Sequence, residues 1–285
     1  MSTVPARLFS WMNSSSCLAG LALLGTFLPF AAAASGITPS KVEASYSIEF
    51  AGIEIGKFRF QSSVDASTYT LSGSAKFSAL LGAWKWSGRT SSTGTLGQGE
   101  PQPARYVFKY KSNSKSGSVD MSFSKGAVAD RTLEPPSKPS KKTVPLRDEH
   151  LRNVLDPMSA VMAMTTGQID KPCDRKIAIF DGKQRFSLEL SFSRKERIKE
   201  ARPSGEPEVA IVCGVRYIPI AGYKDSKVIR YMAEAKGIEV ALRPIPSANI
   251  LVPYEIRIPT FAGSAILKSQ RVEITTGVKQ IALVH

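Results

Sequence analysis

Histidine is nearly missing from this 285-residue sequence: His150 and His285 are the only two. A Ser-His-acid triad would therefore rest on His150, whose neighbours Asp148 and Glu149 are adjacent in sequence, which says nothing of geometry. His150 reads instead as a surface residue approaching a helix. Cysteine is almost as scarce, at Cys17, Cys173 and Cys213, and so small a supply of imidazole and thiolate predicts no metal site. There is no H-E-x-x-H, no G-x-S-x-G and no P-loop. Gly94-Thr95-Leu96-Gly97-Gln98-Gly99 lacks the dinucleotide-binding spacing and reads as a loop between strands, so no cofactor is expected. Two S-x-x-K matches, Ser112 to Lys115 and Ser122 to Lys125, fall in strand or turn context. In serine acyl-enzymes that motif opens a helix, and its S-D-N and K-T-G companions are absent here. Carboxylate pairs for glycoside hydrolysis meet only in three dimensions, and nothing points to one. The expectation is a protein that is not an enzyme.

Long apolar runs are equally few. From Met1 to Ala34 the only charged residue is Arg7, followed by the run Leu18 to Phe30 and by Ala32-Ala33-Ala34 before Ser35. This order predicts a secretory signal peptide over residues 1–34 and a mature domain, 35–285, in the periplasm. An uncleaved anchor is the competing reading, but the run contains Gly20, Gly25 and Pro29 and falls short of the roughly 20 apolar residues a span needs. Cys17 precedes the run, contrary to a lipoprotein signal. Cleavage leaves Cys173 and Cys213, an even pair in an oxidising compartment, which predicts a disulfide; two buried free thiols are the alternative.

Acidic residues are the other deficit, 24 against 38 Lys and Arg, for a net charge of +14. Basic residues gather at Lys138, Lys141 and Lys142 in a Pro/Lys-rich loop over 134–145, and at Arg194, Lys195 and Arg197 near a strand end. Outside the cytoplasm the polyanions on offer are anionic lipid head groups and acidic wall polymers, and each surface cation near an anionic membrane contributes about 1 kcal/mol. Solvated loops without a partner are the plainer reading. Nucleic acid is not an expected partner, since no basic motif is interleaved with aromatics.

What is abundant is alternation. Phe58 and Phe60, then Tyr106, Phe108 and Tyr110, then Val119, Met121 and Phe123 each recur at every second position between polar residues. Phe186, Leu188, Leu190 and Phe192 do so most cleanly, followed by Ile238, Val240 and Leu242 and by Tyr254, Ile256 and Ile258. Such runs are strands with one buried and one wet face, whereas parallel sheets read as continuous apolar runs. Asp181-Gly182 reads as a two-residue hairpin, with Lys125-Gly126, Lys236-Gly237 and Ala51-Gly52 as weaker versions. The expected fold is mainly β, a single curved antiparallel meander, barrel-like or a β-spiral. Between Leu151 and Met164 the spacing changes to three and four, with Asp156 as N-cap, Pro157 at the first helical position and Gly167 beyond the end. This predicts one short helix near 157–166, either core packing or a plug for the open end of the barrel. Phe77, Leu80, Leu81, Trp84 and Trp86 form the most apolar aromatic stretch after the leader. It serves either the core or a lip for a lipid or a partner groove.

The opening Tyr46 to Gly56, the internal Asp156-Pro157-Met158-Ser159 and the closing Val252 to Leu267 resemble the family known as domain of unknown function 3108. The resemblance spans about Val42 to Thr275 and rests on strand and turn residues. It implies a secreted, β-rich periplasmic protein of proteobacteria with no assigned reaction, similar in organisation to the β-spiral envelope integrity proteins of alphaproteobacteria. It supplies no catalytic residue. The functional expectation is a non-enzymatic protein that supports the cell envelope by binding an apolar ligand or a protein segment in its curved sheet. A scaffold docking another periplasmic protein through the basic loops, and a wall hydrolase or transferase without a recognisable motif, are the alternatives.

Overall fold

A computed structural model describes residues 39–79, 83–97, 100–137, 140–167 and 169–285. The leader 1–34, Leu80, Leu81 and Lys138 lie outside the described residues. The alternating runs form fourteen antiparallel strands in one sheet. The first meander is β1 (Lys41–Phe50), β2 (Ile53–Asp65), β3 (Thr68–Ala79), β4 (Trp84–Gly97), β5 (Glu100–Ser112), β6 (Ser116–Ser124) and β7 (Ala127–Glu134). The second is β8 (Arg175–Phe180), β9 (Arg185–Arg197), β10 (Val209–Ala221), β11 (Glu239–Ile245), β12 (Ile250–Thr260), β13 (Gly263–Thr275) and β14 (Gln280–Val284). They fuse where β1 pairs with β13, giving the order β7-β6-β5-β4-β3-β2-β1-β13-β12-β11-β10-β9-β8, with β14 on β13.

Both edges, β7 and β8, come from mid-sequence, and no ladder joins them. The connection between them closes the gap instead. Asn153 N donates to Gly126 O (2.7 Å), Leu155 N to Ala178 O (2.9 Å), and Phe180 N to Leu155 O (2.9 Å). Arg131 on β7 reaches across as well, its guanidinium 5.7 Å from the Phe180 ring and donating to Gly182 O at 3.1 Å. An edge that would otherwise present bare N–H and C=O groups is thereby covered.

Ala51-Gly52 and Lys125-Gly126 are two-residue hairpin turns with φ positive at both positions. Three sequence readings need correction. Asp181-Gly182 opens a four-residue loop, because the Asp181 carboxylate accepts from Lys183 N and Gln184 N and so extends the turn. Lys236-Gly237 connects a helix to β11 and is not a hairpin. Gly94 and Gly97 belong to β4 rather than to a loop; a side chain at Gly94 would collide with the Tyr69 ring and with the Gln102 carbonyl. Phe192 also departs from its run. Although Phe186 and Leu188 pack on the core and Leu190 is buried, Phe192, one position beyond the last β8–β9 pair on that face, is 62% exposed.

Helix α1 (Pro157–Thr165) forms where the spacing predicts, capped by Asp156. Its buried side chains include Met158, Ala160, Met162 and Met164, and it packs against β3, β4, β5, β8 and β12. It therefore lies on the concave side of the sheet and joins clusters from both meanders. A second helix, α2 (Lys227–Glu234), lies against β10. The Pro/Lys-rich loop is anchored at its far end, where Val144 N donates to Tyr223 O and Asp225 N to Lys142 O.

The Cys173–Cys213 disulfide is present, tying the segment before β8 to β10 across β9. Both residues are buried beside Leu190 and Val240. Replacing both cysteines by alanine is expected to lower unfolding free energy by about 4 kcal/mol, from the loop the bond closes, as read by urea denaturation.

At the end of β14 lies a polar hub. Arg243 is fully buried, pairs with Glu200 at 2.6 Å, and donates to Pro207 O, Glu206 O and Ser204 Oγ. His285 Nε2 lies 3.1 Å from Arg243 Nη1, and its Nδ1 lies 3.0 Å from Ser269 Oγ. Burial, and then the Arg243 charge, push the His285 pKa down to about 4. The folded state thus holds neutral imidazole, while the unfolded chain takes up a proton below its ordinary value of 6.5. Stability should fall as pH drops from about 6.5 to about 4, and less steeply in His285→Phe. Thermal unfolding across that range checks both.

Candidate functional site

The concave face is set by register. Tyr46 on β1 lies opposite Phe58, Phe58 opposite Ala75, Phe77 opposite Trp86 and Thr90 opposite Phe108, so these inward positions share one side of the sheet. Toward the β3–β4 connection this face carries an aromatic ladder. Phe77 stands 5.2 Å from Trp84 and stacks on Trp86 at 4.8 Å; Trp86 is 6.4 Å from Phe108, which stacks on Tyr110 at 5.8 Å. Gly88 makes it possible, because any Cβ there would meet the Trp86 ring lying across it. Phe77, Trp84 and Trp86, read from the sequence as a stretch, thus assemble, and Phe108 and Tyr110 extend them from β5. The ladder is only partly covered, Trp84 being 41% exposed.

Three inward positions along β3 from Phe77, at Leu71, the face passes under α1. There an apolar cavity of about 130 Å³ lies between the helix and strands β1, β2, β12 and β13. Its walls include Ala44, Tyr46, Phe58, Phe60, Met158 and Met162. A dry cavity of similar size in another protein takes up a benzene ring.

The helix is held over this cavity by buried polar groups at its N-terminus. Asp156 Oδ1 accepts from Met158 N (2.9 Å) and Ser159 N (3.1 Å); Oδ2 accepts from Ser159 Oγ (2.5 Å) and Ser92 Oγ (2.8 Å). Since Ser159 spends its proton on Asp156, Tyr69, 2.7 Å away, is the donor to Ser159. Burial raises the Asp156 pKa against the pull of these four hydrogen bonds, and burial pushes the Tyr69 phenol up to about 12. Asp156 was legible as an N-cap, but its partners Ser92 and Tyr69 lie 64 and 90 residues from Asp156 and Ser159. A serine inside an inward-facing row of β4 is the one signal that pointed there.

The other sequence candidates do not converge. Ser112 is engaged in its own turn with Lys115, and His150 Nδ1 accepts from Arg147 N; among the described residues no hydrogen bond joins Ser112, Ser122 and His150. Arg194 is tied to Glu239 and Glu196, and Arg197 to Glu208, while Lys195 is exposed. Lys141 and Lys142 are exposed near Asp225, past the end of β10, and Arg194 lies opposite Val212 near its start, so the two basic stretches sit apart. Among the described residues no cluster of His, Cys, Asp and Glu fits a metal ion.

The sequence model of a family described as protein of unknown function, DUF3108, matches residues 45–270. The chain belongs to the DUF3108 family. Its matched region contains both the ladder and the Asp156 cap of α1. Among solved structures, a β-barrel-like protein of domain of unknown function DUF1849 from Brucella abortus is similar, with a TM-score of 0.52 and 11% identity, over 84% of this chain and 99% of that one. At that identity the likeness concerns the fold. No curated protein matches in sequence.

Asp156→Ala should cost about 2–4 kcal/mol, combining a lost N-cap with two buried hydroxyls left without their acceptor. Asp156→Asn, which keeps a capping oxygen, should recover part of it; urea denaturation of the two variants reads the difference.

Proposed function

We propose that this DUF3108 member is a non-enzymatic periplasmic protein that supports the cell envelope by holding an apolar ligand or protein segment on its concave face. The observation that carries this reading is that the aromatic ladder and the cavity beneath α1 lie on the same face of the sheet. Pockets for small molecules are concave and mostly apolar, with few polar groups, and both parts of this face meet that description. The cavity alone is too small for a long ligand, so the occupant is an elongated one whose body rests on Phe77, Trp84 and Trp86 while one end enters between Phe58, Met158 and Met162. The Cys173–Cys213 bond supports export to an oxidising compartment, where such a bond persists. The basic stretches at Lys141, Lys142, Lys195 and Arg197 are dispersed, which disfavours the scaffold alternative.

Trp84 and Trp86 are the only tryptophans after residue 34, so ligand binding at the ladder is read directly by their emission. Titration of the chain from Ser35 with a long-chain alcohol such as dodecanol should give a saturable blue shift. Ala44→Phe, which fills the cavity, and Phe77→Ala, which breaks the ladder, should each weaken it at least about tenfold, a loss of about 1.4 kcal/mol. The same variants should fail to restore detergent resistance to a deletion strain. An absent or non-saturable shift contradicts the reading.

A further inference from the structure

The outward face of β2 to β5 is cationic in a way the rest of the surface is not. Lys57 lies opposite Lys76, and Arg89 opposite Lys109; Arg59 and Lys111 complete two adjacent rows, with Ser74 and Ser87 between the cations. All six are exposed, and among the described residues none takes part in a salt bridge. Elsewhere several exposed strand arginines meet an acid across the strands: Arg105 has Asp120, Arg194 has Glu239 and Arg216 has Glu189. Like charges directly opposite one another destabilise a sheet. With strands about 4.8 Å apart, the four strands carry these six charges within roughly 14 Å of sheet width.

A second feature borders this face. Hairpins in a meander turn at alternate ends, which places the β1–β2, β3–β4 and β12–β13 connections and α2 at one end of the sheet. Of the six exposed large apolar residues among those described, four belong to that end, Ile53 (68%), Trp84 (41%), Val228 and Phe261 (65%), while Phe192 and Val278 lie elsewhere. The Ile53 and Phe261 turns are adjacent, since Ala51 N donates to Ser264 O at 3.0 Å, and Tyr231 of α2 packs on Phe261 with ring centroids 4.1 Å apart. A groove at this corner is lined by Ile55, Lys57, Lys76, Trp86, Lys85 and Lys111 together.

We propose that this corner docks on an anionic lipid bilayer, the six cations of the β2–β5 face meeting lipid phosphates and Ile53, Trp84 and Phe261 entering the interface. Charge complementarity favours a polyanion, and the apolar tips select a lipid surface among polyanions, because a soluble acidic polymer offers nothing for them to enter. Nucleic acid is disfavoured by the composition of the cationic rows, which hold Lys, Arg and Ser and no aromatic ring on which bases could stack. Aromatic residues at head-group level beside basic residues are the usual make-up of an interfacial protein surface. The cationic rows face away from the ligand-binding side of the sheet, and the two sites meet only at Trp84 and Trp86, so charge reversal on the rows tests this proposal without touching the ladder.

The test is flotation of the chain from Ser35, which contains every described element of the fold, with vesicles of phosphatidylcholine alone or with about a third phosphatidylglycerol. Binding is expected on the anionic vesicles only, weakening from 50 to 300 mM salt, with a blue shift of tryptophan emission. Each cation reversed should weaken binding at least about fivefold. Lys57→Glu with Lys76→Glu should therefore lose most of it, while Lys195→Glu with Lys199→Glu, the same charge change elsewhere, should lose little; circular dichroism confirms that both pairs fold. No binding at low salt, equal binding to neutral vesicles, or equal loss in the two double variants would each overturn the proposal. Retention of the chain by a soluble polyanion such as heparin without any vesicle binding would overturn it too, in favour of a soluble acidic partner.

Discussion

A sheet that is apolar along one whole face has to hide that face from water, and in this protein the sheet does not close by strand pairing. Everything else follows from how helix α1 resolves that requirement. Burial of Met158, Met162 and Met164 against both meanders removes apolar area from water at roughly 25 cal/mol per Å², and the segment leading into the helix supplies the hydrogen bonds that β7 and β8 do not exchange. The helix is nine residues long, too short to be stable alone in water. Its position is therefore a tertiary matter, fixed by the Asp156 carboxylate and the hydroxyls of Ser92, Ser159 and Tyr69.

That seat covers only part of the concave face. Under α1 the packing leaves a cavity, and beyond it the ladder from Phe77 to Tyr110 stays partly open. A protein whose only task was to bury its sheet would have little reason to leave stacked aromatic rings uncovered beside an apolar hollow. The incomplete cover ties the stability of the fold to its proposed use, because the element that shields the core also forms one wall of the ligand space.

Much of this was legible in the sequence. Period-two runs gave the strands, the change to three-and-four spacing after Leu151 gave α1, and two cysteines behind a leader-like segment gave the bond that the structure contains. Phe77, Trp84 and Trp86 could be grouped because they are close along the chain. What could not be read was pairing over distance. Ser92 looks like any strand serine until Asp156 is brought to it, and Arg243 looks like a solvated strand residue although Glu200 buries it completely. His285, which carries no motif, is part of that same hub. The cationic face was hidden for the same reason: Lys57, Lys76, Arg89 and Lys109 are far apart in sequence and become neighbours only through register, whereas in the charge-dense run at Arg194 both Arg194 and Arg197 pair with acids.

The central claim is that the concave face is occupied in the cell. Native mass spectrometry of the protein, purified gently from the cells that make it, measures this directly. The account predicts a retained adduct of lipid or short-peptide mass that is lost on adding organic solvent. A clean mass of the bare chain under the same gentle conditions would contradict it.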